Sequence, residues 1–525
     1  MNNLYLYGPP GSGKTTLGKL VSERLALDFL DLDRFIQNDA GMSVKAIFAA
    51  EGEEGFRARE KRALREASSR DRSVIALGGG TLLDPECRKC AEETGIVVCL
   101  DCPLDILRTH IDITPGTRPL VNNGITDSGA ALEKLMEARA EHYASFRRRL
   151  DVAGRSLDNL VDAAELLFGA YRIESGDVPS DIVVGENLLR SVGNWAFTHD
   201  LGRRCAVVCD ANTWPLYGEH VMDAIRTAGI QPFRCTIPAG ENFKTLDTVQ
   251  EIWRGFKQAG LGRGDFAVAV GGGVVGDLTG FAAATWMRGI RWINVPTTLL
   301  AMVDASTGGK TGCDLPGVKN LVGAFHSPDM VIADVETLLT LPAREWRCGL
   351  AEMIKHAIIA DADLAGRFGF FDGLKALADN DTWDDFDDFA GLAAFVSRAL
   401  AVKVHIVRED PREKGVRAKL NLGHTVGHAV EVLTDYRIRH GEAVAIGTVE
   451  EARLAVKLGY ANADWPDKVA AIFASVGLPT ALPDGLTFDA LRDVMRNDKK
   501  KSGDTVRFAL PCALGDVVLS PVHLG

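Results

Sequence analysis

Residues 8–15 read GPPGSGKT, which fits the pattern G-x-x-x-x-G-K-[ST]. They stand between a short apolar strand pattern at residues 4–7 and a helical pattern over Lys14–Leu25, which is the context in which this pattern binds phosphate. Glycines let backbone N–H groups curve around phosphate oxygens, and the start of a helix adds positive potential. The segment therefore predicts a nucleotide site on a parallel α/β sheet, where Lys14 reaches the β- and γ-phosphates and Thr15 binds Mg²⁺.

The length and charge of the chain limit its partners. With 525 residues it is expected to form three or four domains, at roughly 100 to 200 residues each. A net charge of -12 disfavours nucleic-acid and anionic-membrane partners, so phosphate binding must come from local groups of cations. No apolar run approaches the roughly 18 residues of a membrane span, and the N-terminus has no signal-peptide pattern. We expect a cytoplasmic protein that binds small anionic substrates.

The ten cysteines include two pairs with zinc-like spacing, Cys87 with Cys90 and Cys99 with Cys102. The second pair closes an apolar strand pattern, and residues three apart on a strand point to opposite faces. We therefore interpret these cysteines as small buried residues rather than metal ligands.

Alternating strand and helix patterns divide the chain. Strands are predicted at residues 4–7, 29–32, 74–76 and 96–100, and a charged helix near 130–149 completes an α/β domain over residues 1–170. A new strand-helix series, with strands at 182–184, 206–209, 233–237, 266–270 and 292–295, predicts a second α/β domain over residues 171–341. The pattern over residues 342–525 is mostly helical.

Further motifs follow the phosphate loop in order: DLD (31–33), GFRARE (55–60), LGGG (77–80), TRPL (117–120) and Arg139. With the loop, they make residues 1 to about 165 resemble shikimate kinase, a P-loop kinase-type parallel sheet. The resemblance implies transfer of phosphate from ATP/Mg²⁺ to shikimate, giving shikimate 3-phosphate. The implied ATP-binding residues are Gly11, Ser12, Gly13, Lys14, Thr15, Thr16 and Arg118 of a closing lid, and those for shikimate are Asp33, Arg57, Gly79, Gly80 and Arg139.

The resemblance also implies that Lys14, Asp31 and Arg118 are catalytic, with Asp31 near Mg²⁺ or the attacking hydroxyl. From the residues alone, Asp31 and Asp33 are equally well explained as a helix cap.

A second site is indicated by histidines and glycines. Residues 265–277 form an apolar strand, three glycines and a helix, a plausible pyrophosphate turn. His424 and His428 lie four residues apart on one helix face, and His440 follows sixteen residues after His424. Glu352 and His356 form another pair four residues apart. These groups predict a divalent metal, with Zn²⁺ suited to act as a Lewis acid on a substrate oxygen.

Seven cations of the second part have no obvious carboxylate neighbour in the sequence, and several stand among glycines. This setting predicts that they hold a polyanionic substrate. They are Arg288, Lys310, Lys319, Lys355, Lys403, Arg417 and Lys499.

The segments PAGENFK (238–244), PTTLLA (296–301), GLAEMIKH (349–356), NLGH (421–424) and HGEAV (440–444), with the glycine turn, appear in family order. Residues from about 180 to 510 therefore resemble 3-dehydroquinate synthase, with a Rossmann-like NAD-binding α/β domain and a mainly helical metal-binding domain. The resemblance implies conversion of 3-deoxy-D-arabino-heptulosonate 7-phosphate to 3-dehydroquinate plus phosphate, with NAD⁺ and Zn²⁺ (or Co²⁺), without net redox product. It also implies a homodimer formed through the synthase module.

The residues implied by this resemblance fall into three groups. The Zn²⁺ ligands are Glu352, His424 and His440. The NAD contacts are Asp210, Glu241, Lys244, Gly273, Val274, Asp277, Thr297, Thr298, Lys310, Lys319 and Asn320. The substrate contacts are Arg288, Asp304, Lys310, Lys319, Asn320, Lys355, Lys403, Arg417, Asn421, His428 and Lys499, among which Lys310, His428 and Lys403 are catalytic. His356 matches the motif without being a ligand, and we expect it to support the metal site.

Two alternatives remain open. The second part is also compatible with a metal-dependent polyol dehydrogenase, although a neutral polyol does not require the cations. The first part is also compatible with a regulatory or assembly domain that only binds nucleotide, although its acceptor residues argue against this.

Overall fold

The computed structural model describes residues 3–112, 128–174, 178–315, 318–360, 389–495, 501–502 and 505–524. The chain divides into two compact units, Met1–Arg172 and Ile173–Gly525. The proposed further division of the second unit at residue 341 stays a prediction. In the described part of the chain, no helix is long and apolar enough to cross a membrane.

The first unit is a parallel α/β sheet with helices packed against it. Its strands are β1 (Asn3–Tyr7), β2 (Asp28–Asp31), β3 (Ser73–Ala76), β4 (Gly95–Asp101) and β5 (Arg149–Asp151), in the spatial order β2-β3-β1-β4-β5. Its helices are α1 (Lys14–Leu25), α2 (Leu32–Ala40), α3 (Val44–Ser68), α4 (Pro85–Thr94), α5 (Leu104–Asp112), α6 (Ser128–Ala144) and α7 (Leu157–Phe168). Strand β6 (Ala170–Ile173) lies across the boundary between the units.

Apolar side chains of the central strands and of α3 form the core of this unit. Tyr5 and Ile75 on the strands belong to one buried cluster with Phe56 and Leu64 of α3. Because parallel strands are covered on both faces, their side chains are buried throughout, and every residue of β1 is buried. This packing fixes the carboxyl ends of β1, β2 and β3, where the phosphate loop and the DLD and LGGG segments begin.

The second unit begins with another parallel sheet. Its strands are β7 (Ser180–Gly185), β8 (Arg204–Asp210), β9 (Gln231–Ile237), β10 (Phe266–Gly271), β11 (Arg291–Pro296) and β14 (Met330–Asp334), ordered β7-β14-β11-β10-β8-β9. The helices between them are α8 (Val192–Thr198), α9 (Glu219–Thr227), α10 (Leu246–Gln258) and α11 (Gly273–Thr285). Apolar residues of α10 and α11, including Ile252 and Leu278, pack on Ala267 and Ala269 of β10.

Helices dominate the later part of this unit: α12 (Ala343–Ile359), α13 (Phe389–Glu409), α14 (His424–Leu433), α15 (His440–Lys457), α16 (Trp465–Ser475) and α17 (Phe488–Met495). Helices α14 and α15 pack closely at glycines, since a Cβ on Gly447 would overlap the carbonyl oxygen of Gly423. Val430 and Ile446 share a core with Phe508 of a final sheet.

Several β features were not predicted from the sequence. Strand β5 begins at Arg149, where the predicted charged helix ended, and β6 and β14 had no predicted counterpart. Strands β12 (Lys310–Leu315) and β13 (Val318–Phe325) form an antiparallel hairpin, which carries Lys310, Lys319 and Asn320. The mostly helical interpretation of residues 342–525 also missed β15 (Lys501–Ser502), β16 (Thr505–Ala513) and β17 (Asp516–His523). Each long strand of these two hairpins contains a glycine or a proline, so their alternation is weak in the sequence.

Candidate active sites

A cavity of about 710 Å³ in the first unit collects nearly all the predicted kinase residues. The phosphate loop forms one side, and Asp31, Asp33 and Arg57 line it together with the glycines of the LGGG segment. Arg139 of α6, more than one hundred residues after the loop, also lines it. The described residues of the predicted ATP and shikimate groups therefore surround one space, while Arg118 lies outside the described residues.

At the phosphate loop, Thr15 donates a hydrogen bond to Oδ2 of Asp31 at 2.7 Å. Lys14 Nζ donates to the carbonyl oxygens of Gly8 and Pro9, each at 2.8 Å. Asp31 also caps α2, because its Oδ1 accepts from the backbone N–H of Arg34 at 3.1 Å. The cap interpretation is thus correct, and the same carboxylate still reaches the hydroxyl predicted to bind Mg²⁺.

Arg57 is held by a glutamate that the sequence reading missed. Glu60, which is only 2 % exposed, accepts from Arg57 Nη1 at 2.6 Å and from the hydroxyl of Thr81 at 2.5 Å. The glycine at position 80 permits this approach, because a Cβ there would lie 2.7 Å from Nη2 of Arg57. Burial opposes ionisation of Arg57, but Glu60 outweighs this effect and raises the pKa of the guanidinium.

The backbone carbonyl of Gly79 accepts hydrogen bonds from α6. Arg139 Nη1 donates at 2.9 Å and the hydroxyl of Tyr143 donates at 2.7 Å. Tyr7 of β1 adds a longer contact of 3.4 Å to the same oxygen. These contacts connect the LGGG segment to Arg139. The predicted shikimate-binding glycines and the predicted shikimate-binding arginine therefore hold each other in position.

In the second unit, the predicted nucleotide residues follow the carboxyl ends of neighbouring strands. Asp210 ends β8, Gly273 begins α11 after β10, and Thr297 follows β11. The three strands are parallel neighbours, and the N–H of Thr297 donates to the Gly271 carbonyl at 2.9 Å. The strand-glycine-helix prediction is confirmed as a local structure, and this edge of the sheet is where open α/β folds bind ligands.

Lys244 and Asp277 form a buried ion pair at this edge, with 2.6 Å between Nζ and Oδ2. Lys244 also donates to Oδ1 of Asn320 at 2.6 Å, which joins the hairpin to the nucleotide residues. Burial lowers the pKa of Lys244, but Asp277 and Glu241 outweigh it, and the net direction is upward. Lys244 therefore carries a positive charge where a pyrophosphate is predicted.

Three helices bring together the predicted metal ligands. Nε2 of His424 lies 3.5 Å and Nε2 of His440 lies 3.3 Å from Oε1 of the fully buried Glu352. Oε2 of Glu352 pairs with Lys355, whereas Oε1, which faces both imidazoles, has no hydrogen-bond partner of acceptable geometry among the described residues. One carboxylate and two imidazole nitrogens, with ligand atoms within 4.8 Å of one another, form a suitable donor set for a divalent metal such as Zn²⁺ or Co²⁺.

The charges around these groups set their protonation. Burial and the neighbouring Lys355 lower the pKa of His424 to about 3, so its imidazole is neutral at neutral pH. Burial disfavours the charged form of Glu352, but Lys355 outweighs it and holds the pKa well below its usual range. Burial also lowers the pKa of His440, but Glu431 and Glu352 raise it to about 10. The carboxylate is therefore ionised, as metal binding requires.

Asp304 lies at the centre of a second group of charges. Lys403 Nζ contacts its Oδ1 at 2.8 Å, Lys355 Nζ at 3.5 Å and His356 Nε2 at 3.3 Å. Burial opposes ionisation of Asp304, but the two lysines hold its pKa well below the usual value. His356 is fully buried on the same helix as Glu352 and contacts Asp304 through Nε2, and its supporting role stays a prediction.

The premise that the cations lack a carboxylate neighbour is wrong for four of the seven. Distant parts of the chain supply the partners of Lys310, Lys319 and Lys403, and Glu352, one helical turn earlier, supplies that of Lys355. Lys310 pairs with Glu413, Lys319 with Glu241 and Glu431, and Lys355 with Glu352. Glu413 also accepts from Asn421 Nδ2 at 2.6 Å, which places that predicted residue beside Lys310. Arg417 donates to the carbonyls of Gly308 and Pro411, at 2.9 and 2.5 Å. Glu413 and Glu431 had no motif to mark them.

Some predicted substrate residues lie outside the metal ligands and the group of charges around Asp304. Arg288 is exposed and forms no ion pair with the described residues. Lys499 lies outside the described ranges. The ring of His428 lies 5.4 Å from that of His424 and 6.1 Å from that of His440, so it borders the metal ligands. All ten cysteines are unpaired, and nine of them are buried, including Cys87, Cys99 and Cys102, whereas Cys90 is half-buried.

Comparison with known proteins identifies both parts. Residues 234–348 and 349–501 match the N-terminal and C-terminal families of 3-dehydroquinate synthase. A 3-dehydroquinate synthase from Synechococcus sp. is 45% identical over 346 residues, which cover 65% of this chain and 91% of that protein. This chain belongs to the 3-dehydroquinate synthase family. Residues 10–164 match shikimate kinase, so the chain is a bifunctional shikimate-pathway enzyme with kinase and synthase activities, and both predicted resemblances are confirmed.

Solved structures agree with the synthase assignment. A 2-deoxy-scyllo-inosose synthase with carbaglucose-6-phosphate, NAD⁺ and Co²⁺ is 25% identical, with a TM-score of 0.60, over 68% of this chain and 97% of that one. A 2-epi-5-epi-valiolone synthase from Streptomyces hygroscopicus with NAD⁺ and Zn²⁺ is 29% identical, with a TM-score of 0.58, over 67% of this chain and 95% of that one. The predicted fold class is confirmed, and the polyol dehydrogenase alternative is not favoured.

Proposed function

We propose that the cavity of the first unit binds ATP/Mg²⁺ and shikimate and transfers the γ-phosphoryl group to a shikimate hydroxyl. The observation that carries this proposal is the 2.7 Å contact between Thr15 and Asp31 in a cavity that Arg57 and Arg139 also line. In one cavity, the phosphate loop can bind the phosphates of ATP, and Thr15 with Asp31 can bind a cation. The guanidinium groups of Arg57 and Arg139 can bind the carboxylate of the acceptor. Arg118 remains a predicted lid residue.

Each side chain has a task in this reaction. The loop residues Gly11 to Thr16 donate to the phosphates, and Lys14 neutralises charge as the phosphoryl group moves. Thr15 would hold Mg²⁺, and Asp31, which accepts a hydrogen bond from Thr15, would act beside it on Mg²⁺ or on the attacking hydroxyl. Asp33, Arg57, Arg139 and the backbone of Gly79 and Gly80 fix shikimate, because in-line transfer depends mainly on positioning and charge neutralisation.

For the second unit we propose that Glu352, His424 and His440 hold Zn²⁺ or Co²⁺ and that NAD⁺ lies along the edge formed by Asp210, Gly273 and Thr297. When bound, the metal supplies Lewis-acid polarisation of a substrate oxygen, and NAD⁺ supplies a reversible oxidation of a substrate alcohol. Lys244 and Asp277, with Glu241, Val274 and Thr298, orient the nucleotide. The observation that carries this proposal is the convergence of two Nε2 atoms on one buried Glu352 oxygen.

The cations beside this site suit a phosphorylated keto acid. Lys310, Lys403 and Arg417 surround Asp304 and Glu413, and their charges can be shared with a substrate carboxylate or phosphate. Asn421 and His428 border the same space, and Lys319 and Asn320 connect it to the nucleotide edge. A neutral polyol has no group that would use these charges, which supports the heptulosonate phosphate as substrate.

Two separate assays test these proposals. Full-length protein with shikimate and MgATP should form shikimate 3-phosphate, and the heptulosonate phosphate with NAD⁺ and Zn²⁺ should yield 3-dehydroquinate and phosphate without net NADH. Lys14→Met should remove the first activity only. Net NADH release from simple alcohols, or a kinase assay without product, would contradict the respective proposal.

We further propose that the enzyme is a homodimer through its synthase module and acts in the cytoplasm. The family resemblance supports the dimer, and the ten unpaired cysteines fit a reducing compartment. Analytical ultracentrifugation should give the mass of two chains, and cell fractionation should recover both activities in the cytosolic fraction.

A further inference from the structure

Glu431 connects a predicted metal ligand to the hairpin. It lies on α14, its side chain is only 3 % exposed, and its two oxygens contact different partners. We propose that Glu431 is a positioning residue that fixes the imidazole of His440 for metal binding. This inference rests on the proposed metal site of Glu352, His424 and His440.

The two nitrogens of His440 face two carboxylates. Nδ1 lies 3.3 Å from Oε2 of Glu431, and Nε2 lies 3.3 Å from Oε1 of Glu352. An ionised carboxylate only accepts hydrogen bonds, so the Nδ1–H is donated to Glu431. Nε2 is then the nitrogen that gives up its hydrogen to bind a metal beside Glu352. Glu431 thereby selects which nitrogen of His440 becomes the ligand.

His424 shows the same arrangement with a different acceptor. Its Nδ1 lies 3.0 Å from the carbonyl oxygen of Leu422, and its Nε2 points to the same Glu352 oxygen. Both imidazoles are therefore held at Nδ1 and present Nε2 to one point. For His424 the backbone supplies the acceptor, whereas for His440 a side chain supplies it, so only the second can be removed by substitution.

Lys319 keeps the carboxylate of Glu431 in place. Its Nζ lies 2.9 Å from Oε1 of Glu431 and 2.8 Å from Oε1 of Glu241. With one oxygen held by Lys319 and the other by His440, Glu431 has little freedom to rotate. The contact also joins the metal ligand to β13, the strand whose next residue, Asn320, accepts from Lys244.

Glu431 could instead be a ligand itself, because ligand atoms of His428, Glu431 and His440 also lie within 4.8 Å of one another. That arrangement would require His440 to bind through Nδ1 and Oε2 of Glu431 to exchange its contact with that nitrogen for the metal. The Glu352 arrangement requires no such exchange, because Oε1 of Glu352 faces Nε2 of both His424 and His440 while Lys355 pairs with the other oxygen. The geometry therefore favours a positioning role.

Co²⁺ binding to the full chain tests the inference without relying on activity. Affinity is measured by competition with a chelator, and the visible absorption of bound Co²⁺ reports the ligand set. Glu431→Gln should weaken Co²⁺ binding about 10- to 100-fold, as loss of a partner to a ligating imidazole typically does, while one Co²⁺ per chain still binds at saturation. Glu431→Asp, which keeps the charge with a shorter reach, should recover part of the affinity.

Glu450→Gln is the matched control. Glu450 lies on the same helix as His440, ten residues further along, and pairs with Arg453, so its loss should leave Co²⁺ affinity unchanged. Circular dichroism and thermal unfolding establish that each variant is folded. Wild-type affinity in both Glu431 variants would overturn the inference, as would loss of all Co²⁺ binding in Glu431→Gln, which would make Glu431 a ligand. Normal binding in Glu352→Gln would instead refute the proposed metal site.

Discussion

Lys403 donates hydrogen bonds to both the backbone carbonyl and the carboxylate of Asp304, at 2.7 and 2.8 Å. Burial lowers the pKa of Lys403 to about 8, although Asp304 acts in the opposite direction. The ammonium group is therefore charged at neutral pH and loses its proton at a lower pH than an exposed lysine, whose pKa is about 10.4.

This pKa predicts the alkaline limit of the synthase reaction. Below about pH 8 Lys403 is a cation that attracts an anionic substrate, and above it the charge is lost. We expect kcat/KM for the heptulosonate phosphate to fall as pH rises through about 8, because kcat/KM reports ionisations of the free enzyme. Lys403→Arg should shift this fall to higher pH. An unchanged profile in that variant would assign the limit to another group.

Glu352→Gln should separate the two activities. The amide cannot replace the buried carboxylate as a ligand, and Lewis-acid stabilisation of several kcal/mol corresponds to a loss of about 1,000-fold in synthase kcat. Kinase kcat should stay within about twofold, because every residue of its cavity belongs to the first unit. Glu345→Gln, on the same helix and paired with Arg439, is the control and should retain both activities. A parallel loss of both would indicate misfolding.

Arg57→Lys should weaken shikimate binding. Lysine cannot reproduce the planar fork of a guanidinium, so we expect the KM for shikimate to rise about tenfold, equivalent to roughly 1.4 kcal/mol, with little change in the KM for ATP. Arg59→Lys is a close control, because Arg59 pairs with Glu51 and does not line the cavity. Steady-state kinetics with each substrate varied in turn distinguish the outcomes, and an equal effect of both substitutions would argue against a specific role for Arg57.

Gly447→Ala should destabilise the helical part of the second unit. The new methyl group would overlap the carbonyl oxygen of Gly423, just before the ligand His424, and overpacking of this kind costs about 1–3 kcal/mol. Thermal unfolding should begin at a lower temperature, and Co²⁺ affinity should fall. Gly264→Ala adds a methyl group with no atom within 4 Å and should change neither measurement.

The sequence reading succeeded where the signal is local. The phosphate loop, the strand-glycine-helix turn before Gly273 and the histidines of α14 each occupy a few consecutive residues, so spacing alone indicated their chemistry. It failed for partners that meet only after folding. Glu431 is 112 residues from Lys319 in the sequence and has no motif around it. Glu413, which pairs with the distant Lys310, was missed for the same reason. Glu60 lies in the GFRARE segment, three residues after Arg57, but its pairing with Arg57 was not predicted, because an acidic residue on a helix is usually a solvated charge.

The hairpin of β12 and β13 was missed for a different reason. Its glycines and lysines were considered only as residues that hold a polyanionic substrate, and no strands were predicted there. In the structure Lys319 and Asn320 belong to a strand and contact Glu431 and Lys244. Their role in binding substrate stays a prediction.

The three proposed metal ligands come from three different helices, α12, α14 and α15. A cation held by them would therefore act as a cross-link, fastening three helices at one point much as a disulfide fastens two strands. Ligand binding to the folded state alone adds stability by RT ln(1 + [L]/Kd). Chelation should consequently make these helices easier for a protease to cut, so a shortage of the metal would shorten the lifetime of the enzyme in addition to reducing its synthase activity.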